Sequence, residues 1–252
     1  MPNVLLTIKY IGTHYHGWQV QKNALSVQEV LQDAIEDLYG ERLDVKGCSR
    51  TDTGVHANMF CVSYFAPFYA GEYKTVSALN NRLPSDIKAY RCQIVPDDFH
   101  ARYSAVGKEY VYYIYDEKYP DPFLSDYALH YRQKLDEKVM NLAAAHFIGT
   151  HDFAGFCSSK SDVENTVRTI HSCSVVRENS LIIIKISGDG FLYNMVRIIV
   201  GTLIDVARGK KKVEKIPDII LSKQRSLAGK TAPAKGLFLN KVFYGEKSFE
   251  SR

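Results

Sequence analysis

Short strand-like runs and amphipathic helical runs alternate twice along this chain, and no other feature restricts its fold as much. Val4 to Tyr10 reads as a strand. Ser26 to Tyr39 reads as a helix, with apolar residues at 27, 30, 31, 34, 35 and 38 along one face. Ser26 and Glu29 make a capping box at its start, and Gly40 stands at its stop. Beyond a Gly-bounded loop, the pattern predicts a strand over Met59 to Phe68, a helix over Tyr73 to Leu83 ended before Pro84, and a strand over Asp86 to Val95. The second round starts with a strand over Lys108 to Asp116 and a helix over Asp136 to Phe147. An antiparallel pair, Thr166 to Arg177 and Leu181 to Ser187, turns around Glu178-Asn179-Ser180, and a helix over Phe191 to Ala207 precedes a closing strand, Leu237 to Tyr244.

The simplest packing of that succession is of the α/β (α+β) class: two similar units, each a mixed or mainly antiparallel sheet backed by helices. We place the units at residues 1–100 and 101–252, with the change near residues 96 to 107, where no low-complexity linker intervenes. A chain of 252 residues with 46% hydrophobic content can bury a substantial core.

Charge narrows the class of partner through its distribution. The whole chain carries only +4, from 32 Lys and Arg against 28 Asp and Glu. Residues 185 to 252 hold 14 basic against six acidic side chains, or +8, which leaves −4 for the remainder. A polyanion is therefore expected to meet the C-terminal part first. Five cysteines, at 48, 61, 92, 157 and 173, form no Cys-x-x-Cys pair. Their number and spacing disfavour both a disulfide framework and a thiolate zinc site, and suit a reducing cytoplasm. The start, MPNVLLTIKY, reads as a strand rather than a signal peptide. The longest apolar stretch, residues 191 to 207, is broken by Asn194, Arg197 and Asp205, too short and polar to span a bilayer, so no membrane partner is expected.

Chemistry concentrates in GCSRTDTGVH, residues 47 to 56, where Arg50, Thr51, Asp52, Thr53 and His56 crowd a segment between a helix and a strand. Composition alone favours a turn in which Asp52 and the threonines satisfy backbone N–H groups. The functional reading is an ionised Asp52 with a guanidinium nearby; residues two apart in extended chain point the same way, so Arg50 and Asp52 can face one pocket. His56 is the obvious general base, although a histidine that orients a loop is commoner than one that moves protons.

Four tyrosines crowd KEYVYYIY, residues 108 to 115, and alternation puts Tyr110, Tyr112 and Ile114 on one face. Cross-strand packing explains such a run, and stacking on an extruded base, beside Arg102 and Lys108, is the functional alternative. Arg197 enters an apolar helix among Met195, Val196, Ile198 and Ile199, where an unpaired guanidinium is costly; it serves a structural ion pair or an active-site carboxylate. Lys210-Lys211-Lys212 suits a solvated helix end, with phosphate binding as the minority reading. His14 and His16 in YIGTHYHGWQVQ lack a third ligand at fixed spacing, so no metal site is drawn from them. There is no P-loop, dinucleotide fingerprint or Gly-x-Ser-x-Gly elbow.

Taken as a set, YIGTHYHGWQVQ, SRTDTGVHA, FHARYSAVGKEYVYYIY, THDFAGFC, GDGFLYNMVRIIVGTLIDVARGK and AGKTAPAKGLFLNKVFY resemble, in order and over essentially the whole chain, the tRNA pseudouridine synthase A family. The resemblance implies the pseudouridine synthase fold around a basic cleft and a homodimer that grips tRNA. It also implies isomerisation of uridines 38 to 40 in the anticodon stem-loop. Asp52 then matches the nucleophile, Tyr110 the tyrosine that stacks on the target base, Arg197 the arginine paired with the catalytic carboxylate, and Arg50 the arginine that holds the base outside the helix. Ser49 and Thr53 stand where the family loop usually has Gly and Ala, and Ile11 where Asp is common.

Such chemistry turns the base out of its stack, at a cost of a few kcal/mol. Asp52 attacks C6 of the ring or C1′ of the sugar, and the trapped uracil rejoins through carbon 5. No metal, redox cofactor or ATP is required. Two rivals remain on residues alone: a non-catalytic RNA-binding protein of the same fold, and a carboxylate-dependent hydrolase of nucleosides, which would normally want a second acid that the Asp52 loop lacks.

Overall fold

The computed structural model describes residues 1–158 and 164–249. In chain order its elements are β1 (Asn3–Tyr10), α1 (Val27–Tyr39), β2 (Lys46–Gly47), β3 (His56–Phe65), α2 (Glu72–Asn80), β4 (Ile87–Val95), β5 (Ala105–Tyr115) and β6 (Leu129–His130). They continue with α3 (Glu137–Ala145), β7 (Gly149–Asp152), β8 (Val167–Glu178), β9 (Leu181–Gly188), α4 (Met195–Ala207), α5 (Ile216–Ser222) and β10 (Leu237–Tyr244). The fold is mixed α+β, and by internal contacts the chain divides into one unit of Met1–Val106 with Phe238–Arg252 and another of Gly107–Leu237.

In the first unit the strand order is β4-β1-β3-β10. β1 is central and antiparallel to both neighbours, pairing Leu6 with Val62 and with Cys92, whereas β10 runs parallel to β3 through Phe238–His56 and Leu239–Ala57. β1 is buried along nearly its whole length, as a strand covered on both faces must be. The expected cap of α1 is present: the Ser26 hydroxyl accepts the Glu29 N–H at 3.2 Å, and Gly40, at φ 79°, closes the helix onto Glu36. Val27, Leu31, Ala34 and Ile35 form its buried face, and Val30 and Leu38 flank it half-buried.

In the second unit the order is β5-β9-β8-β7, with β6 parallel to β5 at Ile114–Leu129. The antiparallel β8–β9 hairpin turns where expected, with Asn179 in the left-handed region at φ 55°. α3 is capped by Asp136, whose carboxylate accepts the N–H groups of Lys138 and Val139, and it packs against β8 and α4. The core gathers Tyr112, Ile114, Ile184 and Ile186 from the sheet with Met140, Ile198, Ile199 and Leu203 from the helices.

The helix expected over Phe191 to Ala207 begins only at Met195. Asp189 explains the delay: its carboxylate accepts the Thr169 N–H and its own N–H donates to the Thr169 carbonyl, both at 3.0 Å, which holds the preceding segment to β8 as a loop. Asn194 then takes a left-handed φ of 62° at the entry to α4. β3 starts three residues earlier than its apolar run, because the β1 and β10 pairings recruit His56 and Ala57.

Candidate active site

The loop from Cys48 to Val55 joins β2 to β3 in the first unit, and most of its fixed points are supplied by the segment after β1. The Trp18 N–H donates to the Thr51 carbonyl at 3.1 Å, and the Gly54 N–H to the Tyr15 carbonyl at 3.3 Å. Within the loop, the Val55 N–H donates to the Asp52 carbonyl at 3.1 Å, closing a tight turn over Asp52 to Val55. The Thr51 side chain is buried and shares a 2.8 Å hydrogen bond with the Tyr10 hydroxyl. Alternation then turns Arg50 and Asp52 to the other side, where Arg50 is exposed and Asp52 half-buried.

Gly17 makes this approach possible. Its φ is +83°, and a Cβ there would overlap the Thr51 carbonyl, so both conformation and space demand glycine. Trp18 closes the floor, with its ring stacked on Phe60 at 4.2 Å between centroids and packed against Gly47. His56 is fully buried. Its Nδ1 accepts the Gly12 N–H at 3.0 Å, and its ring lies 4.4 Å from that of Phe238. It holds the loop to the β1 exit, the orienting role, and that nitrogen is engaged rather than open to substrate.

Tyr110 and Arg197 lie in the second unit. Tyr110 is on β5 opposite Ile186, 7% exposed, with its ring edge-on to Phe191 at 5.1 Å. Its same-face neighbours Tyr112 and Ile114 are fully buried, and the Tyr112 hydroxyl donates to the Pro233 carbonyl at 2.8 Å. Burial pushes the Tyr112 hydroxyl well above the usual phenol range, with the Arg197 charge opposing the shift in part.

Arg197 occupies the first turn of α4. Its Nε donates to the Ala232 carbonyl at 2.7 Å and its Nη1 to the Asn194 side chain at 2.8 Å, while the Ala232 N–H returns a bond to the Arg197 carbonyl. The guanidinium is thus gripped between the helix start and the segment before β10. That segment lies directly on the helix backbone: a Cβ on Gly201 would overlap the Lys230 carbonyl, and the Thr202 hydroxyl accepts the Gly229 N–H at 2.8 Å.

An open cleft of about 300 Å³ lies beside the Asp52 loop within the first unit. Ser49 and Arg50 form one side, Lys46 and Gly47 of β2 another, and His100, Arg102 and Tyr103 a third. Among the described residues no cluster of three or more His, Cys, Asp or Glu side chains could hold a metal ion, and His14 and His16 are exposed.

The role of YIGTHYHGWQ does not show in its residue types: its backbone groups and glycines cradle the loop, whereas its conspicuous residues are histidines. Gly12, Gly17 and Trp18 were the available signal, but backbone-to-backbone docking leaves little trace in residue type.

A family model described as tRNA pseudouridine synthase matches residues 6–104 and 143–245. Curated relatives named tRNA pseudouridine synthase A match 97% of the chain over their own full length. They include proteins of Acetivibrio thermocellus at 49% identity, Ruminiclostridium cellulolyticum at 47% and a Thermoanaerobacter species at 46%.

Proposed function

Because the chain belongs to the tRNA pseudouridine synthase A family, we propose that it isomerises uridines 38 to 40 of the tRNA anticodon stem-loop to pseudouridine, with Asp52 as nucleophile. The enzyme is an isomerase acting on uridine in tRNA, and catalysis is favoured over RNA binding alone. The observation that carries the site assignment is the loop itself. Asp52 sits half-buried on a turn clamped by bonds to Tyr15 and Trp18, and such fixation suits a group that must attack without reorganising.

In the reaction the bond from N1 to C1′ breaks and one from C5 to C1′ forms, while the proton on C5 leaves and N1 gains one, so atoms balance without a cofactor. Asp52 attacks C6 or C1′ to hold the uracil and ribose in register during the exchange. We assign Arg50 to holding the base outside its helix and Tyr110 to stacking on it. Arg197 is the cation paired with the catalytic carboxylate. The burial of Tyr110 beside Phe191 supports a ring that shields the reacting base from water. The Asn194 and Ala232 contacts support a guanidinium with a fixed orientation.

The division of labour follows the chain: the N-terminal αβ unit carries the nucleophile, and the C-terminal unit, which by internal contacts spans Gly107–Leu237, carries the tyrosine strand and most of the basic segment. Two copies act as a homodimer in the cytoplasm. Among the described residues no helix is long and apolar enough to cross a membrane. The test is a map of pseudouridines in tRNA from cells with and without the gene. Loss confined to positions 38 to 40 is expected, and an unchanged map would overturn the proposal.

A further inference from the structure

The cleft beside the Asp52 loop has the composition of a nucleotide site. Lys46, Arg50 and Arg102 line it with a single carboxylate, Asp44, which pairs with Lys46. Among the described residues neither Arg50 nor Arg102 has an ion-pair partner, so two guanidinium charges face the cleft without an acidic counterpart. Guanidinium groups match a phosphate's geometry through paired N–H donors.

Tyr103 forms the aromatic part. It is 76% exposed, although its loop is anchored by hydrogen bonds. Arg102 lies 5.7 Å from its ring centroid and His100 4.4 Å, so a cation and an imidazole adjoin a ring that is mostly in solvent. Hydrogen bonds anchor the loop beneath. The Ala101 N–H donates to the buried Ser63 hydroxyl at 3.0 Å, and the His100 N–H to the Ser104 hydroxyl at 3.1 Å.

His100 Nδ1 accepts the Arg102 N–H at 3.0 Å, so in the neutral ring the proton sits on Nε2. Burial first, and then the charges of Lys46 and Arg102, hold this imidazole below its ordinary pKa, so near neutral pH it presents a donor without adding charge.

We propose that this cleft binds the RNA nucleotide next to the target uridine, its base stacked on Tyr103 and its phosphate held by Arg102, while Arg50 at the cleft's border keeps the target base extruded. The assignment rests on the pseudouridine synthase reading. Position identifies the ligand: Arg50 belongs to both the cleft and the loop of Asp52, two residues apart or ~7 Å of extended chain. A group bound there while Asp52 engages a uridine lies within about one nucleotide of it, and the flanking nucleotide is the group that the chain of the RNA itself brings there. An exposed ring beside unpaired guanidiniums is how single-stranded nucleic acid is held without sequence readout.

The test uses the full chain with Tyr103→Ala, Tyr103→Phe and Arg102→Gln, all at exposed positions. Binding of a tRNA substrate is measured across a salt series, alongside pseudouridine formation in the same RNA. Tyr103→Ala is expected to raise Kd and KM about tenfold, and Tyr103→Phe to restore both to within about twofold. Arg102→Gln should weaken binding and reduce the slope of log affinity against log salt by about one. If the wild type forms pseudouridine while Tyr103→Ala and Arg102→Gln bind as it does, the cleft assignment alone falls. Loss in Tyr103→Phe equal to that in Tyr103→Ala also overturns the stacking role. If the wild type leaves tRNA uridines unconverted, the functional reading fails and takes the cleft assignment with it.

Discussion

Asp52 owes its position to residues that have no chemistry of their own. Gly17 admits the Thr51 carbonyl, Trp18 and Tyr15 bond the loop backbone on either side of the carboxylate, and Tyr10 fixes the Thr51 hydroxyl. Arg197 is oriented in the same way, its contacts including the Ala232 carbonyl and the Asn194 side-chain amide. Lysine could keep the charge but not both contacts, since an ammonium lacks the planar fork. Arg197→Lys is therefore expected to leave tRNA affinity within about twofold and to lower turnover about a hundredfold, the scale for losing one oriented donor. Single-turnover kinetics at saturating tRNA would check this, and wild-type turnover would remove Arg197 from the mechanism. Residue type marked Asp52, Arg50, Tyr110 and Arg197 as candidates, by charge or company, and the family resemblance supplied the roles proposed for them. The cradle around Asp52 was not legible, because its bonds join backbone groups far apart in sequence, Trp18 to Thr51 and Tyr15 to Gly54, and hide behind ordinary glycines.

Among the elements, the second unit depends on an ion cluster where β5, α3 and β8 meet. Asp116, 1% exposed, receives two 2.8 Å bonds from Arg177, which also bonds Glu137 at 2.9 Å and the Leu135 carbonyl at 2.8 Å. Burial alone would push the Asp116 carboxyl up. The Arg177 bonds, the Leu135 N–H and the Lys134 charge outweigh it and hold the group below its ordinary range. A depressed carboxylate contributes stability that is fully present above its unfolded pKa, about 3.9, and is lost as pH falls through the folded value. Arg177→Ala strands a buried charge and is expected to cost about 3 kcal/mol near pH 7. That deficit should narrow toward pH 4, as protonation relieves Asp116. Urea unfolding at several pH values reads both effects, and a deficit independent of pH would show that Arg177 acts through packing instead. Elements with a full period, such as α1 and β10, were legible to within a residue. β2, β6 and β7, of two to four residues, were not, since alternation needs more length than they have. The start of α4 was misplaced because Phe191 and Leu192 carry helical periodicity while Asp189 commits the chain to β8.

Across the whole molecule, charge bookkeeping along the chain and charge in space give different answers. The excess of basic residues lies after residue 184, yet the cleft beside Asp52 draws Lys46, Arg50 and Arg102 from a stretch that is net negative. Folding selects which charges converge, and a sum over sequence does not. The α+β class and the family were legible because several motif blocks keep their order over the chain, and matches over 97% of its length bear out that reading. The proposed chemistry turns on the Asp52 carboxylate as nucleophile. Its most direct test is Asp52→Asn assayed with full-length tRNA by carbodiimide primer extension, with tRNA affinity measured in parallel. Asparagine keeps the side chain's size and removes its charge, so the account predicts near-wild-type affinity and pseudouridine formation lowered by about a thousandfold or more. Pseudouridine formation at the wild-type rate would contradict it.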